Sequence, residues 1–559
     1  MLLIGSCPAR AQTESDLVIE AIVESLADRV SEDFDFAELT ERLNGYRQNP
    51  LNINIATSDD LDGLVFLSAL QVSELIAYRK QDGDFIDLLE LQSLETFDMA
   101  TIKLLLPFVT LNEVSSAGKF RIKDLRNGKH DVMLRYGQVL ERQKGYGATE
   151  TPGGSRYLGS PQKLLVRYRY NADNRVMISF NMEKDAGEQF FAGGQPAGFD
   201  FYSGSVYLRS FGRMEKLVAG DFSLQFGQGL SLWSGLSFAK GADVAGAAKQ
   251  DHGLKPYTSV NEALFFRGVA ATLKFKQFRF TPFVSYRNVD ASFEGETAIS
   301  SLGVSGFHRT LTELGHKNAV SEFVAGSALQ FDARALSVGF TGYQTVYEKP
   351  FYPGKFLYDQ FEFSGRRLSN FAFNYSYNFR NAYFFGEAAH SINSGFAFIN
   401  GAVASLSSKV STVLLYRNYD RDYHSFFNQA LSEATSAVNE KGFYAGLAVK
   451  PFRNWEMSAY ADVFRFPWLK FGADAPSGGY ELLSQITYTP NKLLKATGRY
   501  RREHKEENED GEGVVRALHT VKKENYRLEL TYKVSDAFSV RSRAEVSRYS
   551  KGTGSPEFG

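Results

Sequence analysis

Phe371-Ala-Phe-Asn-Tyr-Ser-Tyr-Asn-Phe-Arg380 is the stretch on which the fold turns. Its odd positions are all aromatic, and its even positions are Ala372, Asn374, Ser376, Asn378 and Arg380. Successive side chains of a β-strand point to opposite faces, so this segment is a ribbon with one aromatic and one polar face. The same period of two recurs elsewhere. Val166, Tyr168 and Tyr170 alternate with Arg167 and Arg169. Tyr526, Leu528, Leu530, Tyr532 and Val534 alternate with Arg527, Glu529, Thr531 and Lys533. Phe538, Val540, Ala544 and Val546 alternate with Arg541, Arg543, Glu545 and Ser547 through Ser542.

The connections between such strands narrow the choice further. Short turns fall at Asn171–Asn174, Phe211–Arg213, Asp332–Arg334, Asn378–Asn381, Ser407–Lys409, Pro451–Asn454, Thr489–Lys492 and Ser535–Asp536. Most are followed, one strand later, by a long polar loop, roughly 185–200, 227–262, 290–321, 348–366, 466–478 and 505–518. Strands of about ten residues with short turns at one end and long loops at the other are the pattern of a transmembrane β-barrel. A soluble propeller or β-solenoid needs a motif repeated at a fixed period of about 40 to 50 residues, and the chain has none. The expected fold is therefore mainly β: a large transmembrane antiparallel barrel of about 18–20 strands behind a small α-helical domain. A helical membrane protein is excluded, because a spanning helix needs about 20 consecutive apolar residues. The longest apolar runs here, such as Leu104–Val109, are far shorter.

Composition agrees with a barrel and reveals a charge split. The 559 residues include 47 Phe, 29 Tyr and 3 Trp but only 15 Pro. The formal net charge is −1, yet residues 13–113 hold 21 acidic and 6 basic residues, a net of −15. With Arg10 set aside, residues 114–559 carry +13. The excess base falls on the polar faces, at Arg167, Arg169, Arg380, Arg527, Lys533, Arg541 and Arg543, which in a barrel point to the lumen. A basic lumen suits anionic solutes, or receives an acidic plug; the −15 segment directly before the first strand is the obvious candidate.

Both ends read as export-related or incomplete. Ala9-Arg10-Ala11 before Gln12 is a small-x-small cleavage site, so residues 1–11 read as a residual signal peptide; Ile4-Gly5-Ser6-Cys7 also fits a lipobox. Either places the chain beyond the inner membrane. Cys7 is the single cysteine, which removes disulfides and Cys-based metal or redox sites from the mature chain. If the helical domain is periplasmic, strand one runs outward. His130–Arg142 then serves as strand one, 114–129 as a linker or short non-spanning strand, and 130–559 as the barrel. The resulting odd count of spans, and a C-terminal Thr553–Gly559 without a closing strand, suggest a C-terminally truncated barrel, since single-chain bacterial barrels use even numbers.

The first 113 residues carry helical signals. Val18, Ile22, Val23, Leu26 and Val30 form an apolar stripe within a helical lead-in over 12–50. Thr57 and Ser58 precede Asp59 and Asp60 as a helix start. Ser73–Lys80 is a second helix, ended by Asp82-Gly83; Asp87 with Glu90 makes a capping box for a third; Met99–Val109 is a fourth, interrupted by Pro107.

Asn52-Ile-Asn-Ile-Ala56, Ile76-Ala-Tyr-Arg79, Gly83-Asp-Phe85, Leu88-Leu-Glu-Leu91 and Ile102–Leu111 resemble the tandem helix-hairpin-helix domain of ComEA-like competence proteins, over residues 51–113. With the aromatic barrel and the string Gly220-Asp-Phe-Ser-Leu-Gln-Phe-Gly-Gln-Gly-Leu-Ser-Leu-Trp-Ser-Gly235, the chain resembles the helix-hairpin-helix outer-membrane barrel proteins of Bacteroidetes. The resemblance implies DNA binding or uptake; the few bases the segment offers for any such contact are Arg79, Lys80 and Lys103. The sequence departs from that pattern at both hairpins. Phe66-Leu-Ser68-Ala69-Leu70-Gln71 and Leu94-Glu95-Thr96-Phe97-Asp98 lack the glycines that let backbone N–H groups approach a phosphate. A net of −15 also lacks the phosphate-neutralising bases on which nucleic-acid affinity rests.

Chemistry-bearing motifs are sparse. His130, His252, His308, His316, His390, His424, His504 and His519 form neither HExxH nor a close metal pair, and His308 and His316 read as solvated loop residues. There is no P-loop and no G-x-S-x-G elbow, and Gly227-Gln-Gly229 reads as loop geometry. Asp420 and Asp422 read as an acidic pair in an external loop. The expected protein is non-enzymatic, without metal or cofactor. It is an outer-membrane barrel with a transport or scaffold role whose acidic domain is a periplasmic gate or protein-interaction module. Its expected partners are the outer membrane with its lipopolysaccharide, and a basic periplasmic protein or its own lumen.

Overall fold

The computed structural model describes residues 14–27, 36–61, 63–111, 125–126, 128–147, 156–172, 174–235, 237–295, 297–491, 493–511, 516–535, 538–552 and 554–559. The readings made on residues 1–13, with Cys7 and the cleavage site, and on 114–124 lie outside them.

The N-terminal helices are α1 (Glu14–Ala27), α2 (Phe36–Gln48), α3 (Ser58–Leu61), α4 (Ala69–Gln81) and α5 (Met99–Leu105). They pack around a core of their own, to which Ile22, Leu26, Leu43, Leu61, Leu75, Leu91, Leu105 and Phe108 contribute. Helix α4 begins four residues before the expected Ser73. Ser68 caps it, accepting from Gln71 N at 3.3 Å while the Gln71 side chain accepts from Ser68 N at 2.9 Å. The Asp87/Glu90 box forms as read, but on a 3-10 turn, Leu88–Ser93. Pro107 sits inside a second 3-10 turn, and Val109–Thr110 then pairs in parallel with Leu51–Asn52, closing the unit.

The long strands are β1 (Lys129–Gln138), β2 (Gln162–Ala172), β3 (Val176–Lys184), β4 (Phe201–Phe211), β5 (Met214–Gln225), β6 (Phe266–Phe275), β7 (Phe278–Val289), β8 (Val320–Asp332), β9 (Leu336–Phe351), β10 (Gly365–Phe379), β11 (Ala382–Ser391), β12 (Phe396–Ser407), β13 (Val410–Tyr419), β14 (Glu440–Val449), β15 (Trp455–Phe466), β16 (Ser477–Tyr488), β17 (Leu494–Asn508), β18 (Leu518–Ser535) and β19 (Phe538–Lys551). These nineteen, among the described residues, pair antiparallel with their chain neighbours from β1 to β19. The strand order closes on itself as a barrel. The seam is its thinnest part: β19 pairs with β18 and with a two-residue strand, Glu557–Phe558, and β1 with β2.

Short turns and long loops alternate as the sequence reading requires. One rim carries only turns of two to five residues between strands; the other carries 139–161, 185–200, 226–265, 290–319, 352–364, 420–439, 467–476 and 509–517, with 392–395 as its one tight connection among the described strands. On β10 the rings of Phe371, Phe373 and Phe379 point outward and are 40–50% exposed, while the even-numbered Leu368, Asn370 and Ala372 are buried inside. Phe340, Phe384, Leu414, Phe443, Val463, Ile486 and Leu528 are likewise exposed. An apolar, aromatic outer wall of this kind is stable against lipid. No helix among the described residues is long and apolar enough to cross a membrane.

Candidate functional site: a filled barrel lumen

The wall residues that alternate inward do not enclose an open channel of polar side chains. Three elements fill the lumen, and each is fixed by identifiable contacts.

The N-terminal helices occupy the short-turn half. Glu41 meets Arg167 and, at 3.1 Å, Arg169 on β2. Asp60 accepts from both terminal nitrogens of Arg209 on β4, at 2.5 and 2.8 Å. Glu24 meets Arg541 at 2.5 Å and Arg543 at 3.6 Å on β19. Asp98 meets Lys450 on the turn after β14. Asn49 accepts from Lys129 at the start of β1. Four acids from four points of the helical unit thus meet bases spread around the barrel.

The proposed basic set divides accordingly. Arg167, Arg169, Arg541 and Arg543 face the helices. Arg527 pairs along the wall with Glu545 at 2.8 Å, and Lys533 lies on β18 near its turn. Arg380 is not a lumen residue: it occupies the two-residue turn after β10 with φ +53° and lies over the Phe379 ring, because the strand ends one residue earlier than its alternation suggests.

Asp60 supplies a pH handle on docking. Burial pushes its carboxyl up, but the Arg209 guanidinium and Thr57 more than offset this and hold it below the usual range. A carboxyl depressed in the docked state contributes stability above its ordinary value of about 3.9, and loses it as pH falls through the lowered one. Amide protection across 57–61 is therefore expected to hold from neutral pH down to about 4 and to fall only below it. Protection already lost near pH 6 would exclude this contact as the anchor.

The second filling element is the loop 226–265. Gly227 and Gly229 take positive φ, +60° and +79°. This turns the backbone N–H groups of Gln228, Leu230 and Ser231 onto Glu387 of β11, at 2.6, 3.1 and 3.0 Å. Asp251 accepts from Gly227 N, Gln330 and Asn374. Farther along, Leu230, Val244, Ala247 and Ala248 pack against Ala389, Ile399, Val413, Leu415 and Tyr444 of the inner wall. Ala69 and Leu70 of the first hairpin join this cluster, Phe238 packs on the helical core, and Gln250 donates to Leu67 O at 3.0 Å.

The loop 420–439 is the third element. Tyr423 donates to Leu230 O at 2.9 Å, and Gln429 N to Gly229 O at 2.8 Å. Its Glu433 joins an ion network on the inner wall. Lys240 meets Glu433, Asp462 and Glu481 at 2.5, 2.7 and 2.7 Å, and Arg417 meets Glu440 and Asp462 at 2.5 and 2.7 Å.

The hairpin positions are spoken for. Ser68 caps α4, and Ala69 and Leu70 face the barrel loop. Glu74 accepts from Glu95 N and Thr96 N at 2.7 and 3.0 Å, and Phe97 is buried. Arg79 donates to Ile53 O and Ala56 O at 2.6 and 2.7 Å; Lys80 and Lys103 are exposed.

Sequence reading also missed a constellation among the long loops. His308 is buried rather than solvated. Its Nδ1 lies 2.6 Å from Asp200 and its Nε2 2.7 Å from Asp290, while its backbone N–H donates to Glu188 at 2.9 Å. Burial lowers the imidazole's proton affinity, but the two carboxylates outweigh it and hold it at about 10. Burial and the Asp200 charge push Glu188 to about 7. No sequence signal joins these residues: Glu188 and Asp200 lie more than a hundred positions before His308.

Fold and filling together define a membrane-spanning antiparallel β-barrel closed from within by its own N-terminal helices and two inward loops. No protein-family model matches the chain, and no curated protein matches it. Among solved structures it is similar to Pseudomonas aeruginosa OpdQ (10% identity, covering 78% of this chain and 96% of that one, TM-score 0.32). It is also similar to the outer membrane protein OprD of Pseudomonas aeruginosa (12%, 69% and 87%, TM-score 0.34) and to an anion-selective porin from Comamonas acidovorans (10%, 75% and 100%, TM-score 0.26).

Proposed function

We propose that this chain is a non-enzymatic outer-membrane transport barrel whose acidic N-terminal helices gate its periplasmic mouth. One observation carries the reading: Glu24, Glu41, Asp60 and Asp98 each meet a base of the barrel, so the unit at −15 sits in a mouth built to hold it. The short-turn rim is then periplasmic and the long-loop rim external, in contact with lipopolysaccharide. Release of the helices uncovers Arg167, Arg169, Arg209, Arg541, Arg543 and Lys450, a lining that favours anionic solutes. Asp82, Asp84, Asp87 and Glu95 stay exposed and offer a surface to a basic periplasmic protein able to draw the gate open.

The ComEA-like reading, DNA binding or uptake, is the weaker. The N–H groups of the second hairpin are already capped by Glu74, the first hairpin faces the barrel loop, and Arg79 is spent on two carbonyls.

Planar-bilayer recording tests the gate. The full chain is expected to conduct rarely, whereas deletion of 14–111 raises open probability at least tenfold with anion preference. The full-length double variant Glu41→Lys, Asp60→Lys should shift in the same direction, and it covers the case in which the deletion does not fold. Unchanged conductance in a folded variant sinks the proposal.

A further inference from the structure

We propose that Glu188, Asp200 and His308, with Glu262 facing them across a cavity, bind one divalent cation of the zinc class that ties the external loops 185–200 and 290–319 together. The inference is independent of the gate.

The geometry is that of a ligand set. One atom from each of Glu188, Asp200 and His308 lies within 4.8 Å of the others, and all three residues are buried. An imidazole nitrogen with carboxylate oxygens suits a borderline cation such as Zn²⁺ better than Ca²⁺ or Mg²⁺, which prefer all-oxygen sets.

The surrounding residues are arranged as ligand supports. A metal-binding histidine typically donates its other ring N–H to a carboxylate, and His308 Nε2 already has Asp290 at 2.7 Å. Lys317 holds the second oxygen of Asp200 at 2.7 Å. The backbone N–H groups of His308 and Asp185 hold Glu188 at 2.9 and 2.7 Å. Asp290 is itself fixed by Asn318 N at 2.8 Å.

Room and charge both call for a cation. The cluster opens on a cavity of about 260 Å³ lined by Trp233, Glu262, Arg267, Arg287, Lys317 and Phe427 among others. Glu262 projects into it from beside Gly306 and finds no hydrogen-bond donor among the described residues. Arg267 and Arg287 are committed to Asp221 and Glu322. Lys184 beside Glu188 is spent on three backbone carbonyls and Arg309 is paired with Glu313, so Glu188, Asp200, Glu262 and Asp290 share Lys317 and His308 as the positive groups that face them. A divalent cation replacing the Nδ1 proton adds one net positive charge. It needs the Nδ1 to Asp200 distance to open from 2.6 Å to about 3.4 Å, the separation of two tetrahedral ligands.

The test uses the full chain in detergent, stripped with chelator and dialysed against Zn²⁺, with Co²⁺ as a spectroscopic substitute. One Zn²⁺ per chain, visible Co²⁺ ligand-field bands and a change in Trp233 emission are expected. His308→Ala should abolish all three. Asp290→Asn, which leaves every ligand in place, should weaken affinity about 10–100-fold. Substoichiometric zinc, binding unchanged in His308→Ala, or binding of Ca²⁺ in preference to Zn²⁺ overturns the proposal.

Discussion

Arg417→Leu is expected to destabilise the barrel by about 3–5 kcal/mol, because removing one partner of a buried ion network leaves the others uncompensated. The Arg417 side chain is fully buried on the inner face of β13. It donates to Glu440 from Nε at 2.5 Å and to both oxygens of Asp462, at 2.7 and 3.0 Å. The sequence makes room for it. Gly442 lies directly opposite in register, and a Cβ there would stand 2.3 Å from the guanidinium carbon. Lysine cannot make the bidentate contact, so Arg417→Lys should recover only part of the loss. Arg417→Leu combined with Asp462→Leu should cost less than the two singles summed, since it removes one charge of each sign. Lys240 would still hold Glu433 and Glu481. The urea midpoint of the refolded barrel in micelles reads all four variants, the single Asp462→Leu included. A shift within error for Arg417→Leu would mean that water reaches this network and screens it.

That network shows where sequence reading runs out. Outward faces are legible because lipid imposes one chemistry on every strand, so Phe371–Phe379 announces itself. Inward faces answer to whatever lies beside them. Ala389, Ile399, Val413 and Leu415 face the lumen yet are apolar, because Leu230, Val244 and Ala247 cover them. In Val410-Ser-Thr-Val-Leu-Leu-Tyr-Arg-Asn-Tyr419 this blurs the period of two. The turn at 276–277 escaped for a related reason: Lys276 takes φ +57° without a Gly, Asn or Pro to mark it.

The charge split between acidic helices and basic barrel is visible in the sequence as a number, and in the structure Glu24, Glu41, Asp60 and Asp98 meet bases of the barrel. Which acids serve could not be read, because Glu24, Glu41, Asp60 and Asp98 differ from the other seventeen only in where the fold carries them. Arg79 shows the converse. In the sequence it reads as a base available to nucleic acid, and in the structure it is a staple between two backbone carbonyls. Gly227-Gln-Gly229 had a reason that only the opposite wall supplies.

That motif carries the second large effect. Glu387→Ala is expected to free the loop 226–265 from the wall. The substitution orphans three buried N–H groups, of Gln228, Leu230 and Ser231, at a cost of about 1–3 kcal/mol each. Gly227→Ala attacks the same latch from the other side. Its φ of +60° costs an L-residue about 1–2 kcal/mol. The added Cβ would also stand 2.7 Å from the Glu387 carboxylate and 3.0 Å from Asn374 Cβ. Glu387→Gln can set its amide oxygen where Oε2 accepts from Gln228 and Leu230 and turns its NH2 only toward the Ser231 N–H, so it should fall between Ala and wild type. Lys240 is the reporter. Its side chain is 8% exposed and locked to three carboxylates, so trypsin should cleave wild type there slowly and the latch variants at least tenfold faster. Amide exchange at 228–231 should rise in parallel, while exchange in β13 and β14 should not. Rapid cleavage with β13 also exposed would mean that the barrel, and not the loop, has opened. Unchanged cleavage would mean that the packing of Val244, Ala247 and Ala248 against the wall holds the loop without its latch.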